Sequence, residues 1–163
     1  MIWSLSWRAD PRAKILADRH YNRQNPESAQ FVPPGRCLVL LSADATAFWV
    51  TSYPFAEHVK HAWAGAWMCS AFRNEGPALS SELIRQAVAV TRWRWPEIPA
   101  RGMVTFVDPD KTTAGRSRRA GFREVGRTKE EGLLALQLMA CDMPPPPIGS
   151  RRVPSLALRR CLT

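Results

Sequence analysis

Two apolar runs of strand length, "RCLVLL" and "TAFWVTS", are separated by the turn-forming "SADA". Bounded in this way by turn residues, they predict an antiparallel hairpin. "AWMCSAF" predicts a further strand. The period then changes: in "SSELIRQAVAVTRWRW" residues Leu83, Ile84, Ala87, Val88 and Val90 recur at helical spacing. That spacing predicts a helix opened by a capping Ser80 or Ser81 and ended before Pro96. "RGMVTFVDP" is apolar almost throughout and stops at Asp108-Pro109, as a central strand does. "KTTAGRSRRAGF" predicts a short helix closed by Gly121, and "FREVG" with "GLLALQLM" predicts a last hairpin.

Near the start, Asp10-Pro11 makes a good helix opening: an aspartate accepts from free N-terminal amides, and proline at the first helical position loses no needed donor. This helix is expected to run to about His20, with Ile15 and Leu16 on its buried side and His20 on or beside that face, pointing inward. From "DMPPPPIGSRR" onward, four consecutive prolines and a basic remainder predict a linker and tail, in which "SLALRR" can dock as a short helix. The expected organisation is one domain over 1–142 and a linker with a basic tail over 143–163. The order of elements describes an α/β (α+β) domain with a mixed central sheet and helices on both faces.

Composition narrows the function classes. No apolar run approaches the roughly 20 residues that span a bilayer, and the first ten residues lack a leader pattern. A soluble, cytoplasmic protein without a membrane partner is therefore expected. Cys37, Cys69, Cys141 and Cys161 form no C-x-x-C pair and have no matching histidine spacing, so neither a zinc cluster nor a disulfide framework is signalled. The formal net charge of +9 and a pI near 10.3 predict attraction to polyanions. The charge is uneven: between Lys111 and Lys129 seven basic residues accompany one acid, Glu124.

The strand "WMCSAF", the serine-initiated helix, the strand "MVTFVDP" and the phrase "RRAGFREVG" together resemble the second half of a GNAT-type acyltransferase. The resemblance implies a mostly antiparallel sheet whose two parallel central strands splay apart, with a helix N-terminus offered to a cofactor pyrophosphate between them. A narrower likeness rests on "HYN" at 20–22, "FRNE" at 72–75, "SSELI" at 80–84 and "TFVDP" at 105–109. These motifs resemble the Mom family of phage DNA-modification proteins, and the likeness covers roughly residues 8–140. It implies a transferase that converts adenine in double-stranded DNA to an N6-carbamoylmethyl form resistant to restriction enzymes. The donor it implies is an acyl-CoA or another activated group, and iron is a candidate metal. A conventional GNAT N-acyltransferase and a non-catalytic DNA-binding module are the alternatives. One departure from the ordinary GNAT phosphate loop bears on the donor: Arg73 to Leu79 contains Glu75, which repels a diphosphate, and Pro77, which removes an amide donor. Acetyl-CoA binding in the usual mode is therefore not expected.

Taken with that resemblance, residue chemistry gives a candidate set. His20 can accept a proton or ligate a metal, and Tyr21 can donate to a leaving group or stack on a base. Asn74 can pair with an adenine edge, Glu75 can act as base or metal ligand, and Arg73 can hold a phosphate or carboxylate. Ser81 is a catalytic candidate and Ser80 a binding one, since capping uses only one hydroxyl at a positive helix end. Asp108 can orient His20 or take a proton from an amine, with Lys111 as a binding residue nearby. Arg116, Arg118, Arg119, Arg123 and Arg127 are the expected DNA-binding residues, on a flat basic groove beside the splay. His58 and His61 stand three apart beside Glu57, a spacing that can hold a metal on one helical face, although packing of Trp63 and Trp67 is the plainer reading. The tryptophans read mostly as core, and Trp93 and Trp95, interleaved with Arg92 and Arg94, are the pair to watch for DNA contact.

Overall fold

A computed structural model describes residues 2–59 and 61–147. The expected docking of "SLALRR" lies outside the described residues. Seven strands form one sheet: β1 (Trp3–Leu5), β2 (Arg36–Ser42), β3 (Ala47–Tyr53), β4 (Trp67–Asn74), β5 (Met103–Val107), β6 (Arg123–Arg127) and β7 (Leu134–Leu138), in the order β1-β2-β3-β4-β5-β7-β6. Every neighbouring pair is antiparallel except β4 and β5, which run parallel. The mixed, mostly antiparallel α/β architecture is the expected one. Strand β1, three residues long, carries no recognisable period and escapes the sequence reading.

Helices α1 (Pro11–Asp18) and α2 (Ser80–Arg94) cover opposite faces. Successive side chains of a strand alternate between faces, so β2 divides its apolar run: Leu38 and Leu40 pack with Leu83, Ile84, Ala87 and Val88 of α2, while Val39 and Leu41 pack with Ala13, Leu16 and Ala17 of α1. Two-sided burial is what makes these strands apolar almost without interruption. A polar thread through the α2 face is closed on itself: Trp49 Nε1 donates to Thr51 Oγ1 at 2.7 Å, Thr51 and Thr91 hydroxyls meet at 3.0 Å, and Thr91 Oγ1 donates to the Ala87 carbonyl at 2.9 Å.

Asp10 caps α1 as expected, accepting from the Arg12 amide at 2.9 Å. It is fully buried, and hydrogen bonds from the Arg12 side chain hold its carboxyl down at about 2, with Ser6 Oγ adding to them. Ile15, expected inside, is 56% exposed. Adjacent helical positions lie about 100° apart, and the buried stripe runs through Ala13, Leu16 and Ala17. The serine caps of α2 are also absent: Leu79 occupies the cap position with no side-chain bond, because Ser80 is already helical. Asn74 orders this corner instead, donating to the Ala78 carbonyl and Ser80 Oγ and accepting from the Gly76 amide.

The His58–His61 stretch forms only a short 3-10 turn over Ala56–His58. His61 packs against Phe106 at 4.8 Å between ring centroids and beside Trp63, and no group of three metal-ligating side chains occurs among the described residues. Trp95 is buried against Trp67 with the Arg36 guanidinium over its ring, and Trp93 packs on the same core, so this pair is not a DNA-facing surface. Met143 is buried in that core and Arg92 donates to the carbonyls of Met143 and Pro144, so packing continues past the expected boundary at residue 142. No helix among the described residues is long and apolar enough to cross a membrane.

The strand pair that matters for function begins at Gly102. Its carbonyl accepts from the Trp67 amide at 2.9 Å, its φ is +64°, and a Cβ there would meet the Leu138 carbonyl oxygen at 2.1 Å. Both the left-handed backbone and the backbone contact demand glycine. Gly102→Ala is expected to destabilise the protein by about 2–4 kcal/mol in urea denaturation. A loss below about 0.5 kcal/mol would show that the strand ends can part here at little cost.

Candidate active site

Strands β4 and β5 pair over only three positions, Trp67–Met103, Met68–Val104 and Cys69–Thr105. On its other edge β4 continues along β3 as far as Asn74, with a bulge opposite Val50 and Thr51 that bends it. Beyond Cys69 the two parallel strands therefore diverge, and their facing backbone groups have no strand partner. Side chains fill the upper part of the gap and leave a small cavity of about 40 Å³. Its lining includes His20, Tyr21, Cys69, Thr105, Phe106 and Arg116.

His20 and Tyr21 reach this gap from the turn after α1. Their rings stack at 4.6 Å, and His20 also meets the edge of Phe48 at 6.4 Å. Burial pushes the His20 imidazole below its ordinary 6.5; Arg116 and Arg73 push it the same way, against bonds to the Asn22 side chain and the Phe72 backbone. The ring is thus neutral near pH 7 and able to accept a proton. Burial raises the Tyr21 phenol above its ordinary 10.0, against the Asp108 backbone beside it, so it remains a proton donor. The ring partner of His20 is Asn22, not Asp108 as expected. Asp108 instead closes an Asx turn, accepting from the Asp110 amide at 3.0 Å, and pairs with Lys111 at 3.2 Å. Asp110 first and Lys111 after it hold that carboxyl below its usual range. Asp108 lies outside the cavity, against the far side of Tyr21.

Glu75 does not do what its sequence position suggests. Arg73 Nε donates to it at 2.6 Å and Arg19 Nη1 at 2.8 Å, while Arg73 Nη1 binds the Arg19 carbonyl at 2.6 Å. Arg73 above all holds the Glu75 carboxyl ionised and below its usual range. Its charge is neutralised by two guanidinium groups, and it lines neither cavity. This triad fastens the end of α1, and with it His20-Tyr21, to the end of β4.

A second and larger cavity, about 530 Å³, opens at the N-terminal end of α2. Its lining includes Gly76, Pro77, Ser80, Ser81, Arg116 and Arg119. The helix α3 (Gly115–Arg119) supplies both arginines. Arg116 is common to the two cavities and lies over the Phe72 ring at 5.4 Å. Among the other expected DNA-binding residues, Arg118 pairs with Glu124 at 2.8 Å, Arg127 donates to the Gly132 carbonyl, and Arg119 and Arg123 are exposed. The sequence-derived candidates thus split: His20 and Tyr21 share the gap, Arg73 and Glu75 brace it, Ser80 and Ser81 line the larger cavity, Asn74 borders that cavity while ordering its loop, and Asp108 with Lys111 stands outside. Cys69 and Phe106 in the gap, and the inward placement of Arg116, escape the sequence reading. Burial pushes the Cys69 thiol up to about 12, so it is not a thiolate nucleophile.

No protein-family model matches the sequence, and no curated protein resembles it significantly. Solved structures do resemble the fold. The aminoglycoside acetyltransferase AAC(6')-Ib in complex with coenzyme A and kanamycin, and the same enzyme with coenzyme A, each superpose with a TM-score of 0.62 at 14% identity, over 86% of this chain and 95% of that one. Its complex with ribostamycin and coenzyme A gives a TM-score of 0.60 at 13% identity, over 86% and 93%. The fold is thus the GNAT-like fold of these acetyltransferases.

Because His20 binds its proton less readily in the folded chain than in the unfolded one, the unfolded state holds more protons just below pH 6.5, and stability rises with pH through that window. Replacing His20 with Gln is expected to flatten this part of the stability profile, measured by urea denaturation between about pH 5 and 7. An unchanged slope would place the imidazole in open water.

Proposed function

We propose that the chain is an N-acyltransferase that takes its acyl group from a coenzyme A thioester. The observation that carries this reading is the pair of cavities meeting at one arginine: one at a helix N-terminus, the other in the gap between parting strands. Positive helix ends and guanidinium groups favour a diphosphate, and Arg119 offers the charge that Pro77 removes as an amide. Glu75, turned into its arginine pair, no longer opposes an anion there. The backbone of β4 beyond Cys69, which has no strand partner on that edge, suits an extended, amide-bearing arm.

At the reacting end His20, neutral, accepts the proton of the attacking amine, and Tyr21, protonated, donates to the departing thiolate. The likeness to acetyltransferases bound to coenzyme A supports the donor class. It does not extend to the acceptor. Aminoglycosides are polycations, and the small cavity is lined by no carboxylate and by the Arg116 guanidinium. A neutral or anionic amine fits this lining.

A second acceptor, the N6 amine of adenine in DNA, is favoured by a separate observation. Arg119 and Arg123 make no hydrogen bond or ion pair among the described residues and are exposed on the α3–β6 side, beside the larger cavity. Such cations suit a phosphate backbone. On this reading the group delivered is an acyl, which leaves an N6-amide; a carbamoylmethyl group bonds through a saturated carbon and requires a donor of another class.

Calorimetric titration with coenzyme A and thiol-release assays with acetyl-CoA over a panel of amines test the proposal. Binding, transfer to neutral or anionic amines and inertness toward kanamycin are expected. His20→Gln and Tyr21→Phe are each expected to lower kcat about 100-fold. Absence of coenzyme A binding would end the acyltransferase reading. Nucleoside mass spectrometry of DNA from expressing cells decides the second acceptor, an unmodified adenosine removing it.

A further inference from the structure

Arg116 stands apart from the other cations around the site. Arg73 and Arg19 are paired to Glu75, Lys111 to Asp108 and Arg118 to Glu124, while Arg119, without a side-chain partner among the described residues, is exposed to solvent. Arg116 is half-buried, yet its side chain makes no hydrogen bond or ion pair among the described residues; its guanidinium lies over the Phe72 ring. Neither cavity it lines contains a carboxylate. A partly desolvated cation without a counter-charge is costly to the fold, so its place calls for a partner that arrives from outside.

The chemistry at the meeting point of the cavities supplies one. When an amine attacks a thioester, its nitrogen bonds to the carbonyl carbon and the C=O electron pair moves onto oxygen. As the carbonyl re-forms, the C–S bond breaks and the electron pair leaves on sulfur. The amine proton passes to a base and a proton reaches the thiolate, so charge and atoms balance. Negative charge thus appears first on oxygen and then on sulfur, both where donor and acceptor meet. We propose that Arg116 is a catalytic residue, the fixed positive charge that receives this developing charge on the transferred group. The proposal rests on the acyl-transfer reading above.

The same placement gives Arg116 a second effect, visible without any ligand. The groups facing His20 are Tyr21 and Asn22 on its own loop, the Phe48 ring of β3, Arg73 and the Phe72 backbone of β4, and Arg116 of α3. Both arginines oppose a proton on the imidazole, but Arg73 is already balanced by Glu75. Removing Arg116 therefore removes the unbalanced cation, and His20 takes up its proton at higher pH.

Arg116→Gln and Arg116→Lys test this, with circular dichroism confirming the fold. In the Gln variant kcat is expected to fall about 100-fold with the acceptor KM little changed, as for loss of a single oxyanion donor. Lys, keeping the charge but not the planar fork, is expected to recover part of that rate. In parallel, NMR titration of the three histidines, with His20→Gln assigning the resonance, reads the electrostatic effect. The His20 midpoint is expected to move upward in the Gln variant and to stay near wild type in the Lys variant. A Gln variant within twofold of wild-type kcat, or an unmoved His20 midpoint, would overturn the proposal. If the wild-type protein neither binds coenzyme A nor transfers an acyl group, this proposal falls with the reading beneath it. An active wild type with an equally active Gln variant ends this proposal alone.

Discussion

Everything at the site depends on hydrogen bonds that the sheet does not make. β4 and β5 are parallel neighbours for three residue pairs and then separate, because β4 follows β3 around a bulge while β5 stays with β7. A paired sheet would be closed to any ligand. The divergence places unpaired strand backbone, a histidine-tyrosine stack and a guanidinium around one opening, while the apolar layers on both faces hold the rest rigid. Rigid surroundings are what make so small an opening meaningful, since packed cores do not deform by degrees.

Charge is handled at this opening by pairing most of it away. Glu75 and Asp108, the acids nearest the gap, are each bound to cations, and both titrate below their usual range. What is left unneutralised is Arg116, and the neutral imidazole of His20 follows from burial first and from cationic neighbours second. The surface charge of the α3–β6 stretch is a different matter: Arg118 is engaged, Arg127 is hydrogen-bonded, and only part of the basic run is free to meet a polyanion.

The fold was largely legible because periodicity survives in the long elements. The apolar recurrence from Leu83 to Val90 fixes α2, and the uninterrupted run at Met103–Val107 fixes a strand buried on both faces. Short elements were harder. Ile15 and Leu16 are both apolar, yet an eight-residue helix gives each a different direction and only one can be buried. At the gap, His20 and Tyr21 stand where residue type and position after α1 suggested, turned inward. Glu75 is paired with Arg73, two residues before it, and with Arg19 from 56 residues earlier, a distance no local pattern spans. Arg116 was read only as one of a basic run, because the facing of a five-residue helix is decided by what it packs on. Ser80 and Ser81 looked like caps, but no side chain caps α2, and Asn74 orders the loop that leads into it.

Gly102 has a mechanical meaning beyond its backbone angle. With its carbonyl bonded to β4 and its Cα pressed on the end of β7, it rivets three strands at one margin of the sheet. At the opposite margin no strand pairing joins β4 to β5 among the described residues. Thermal breathing of this sheet is therefore lopsided, a wedge that widens only at its open mouth, and the fulcrum of that movement is a residue with no side chain at all.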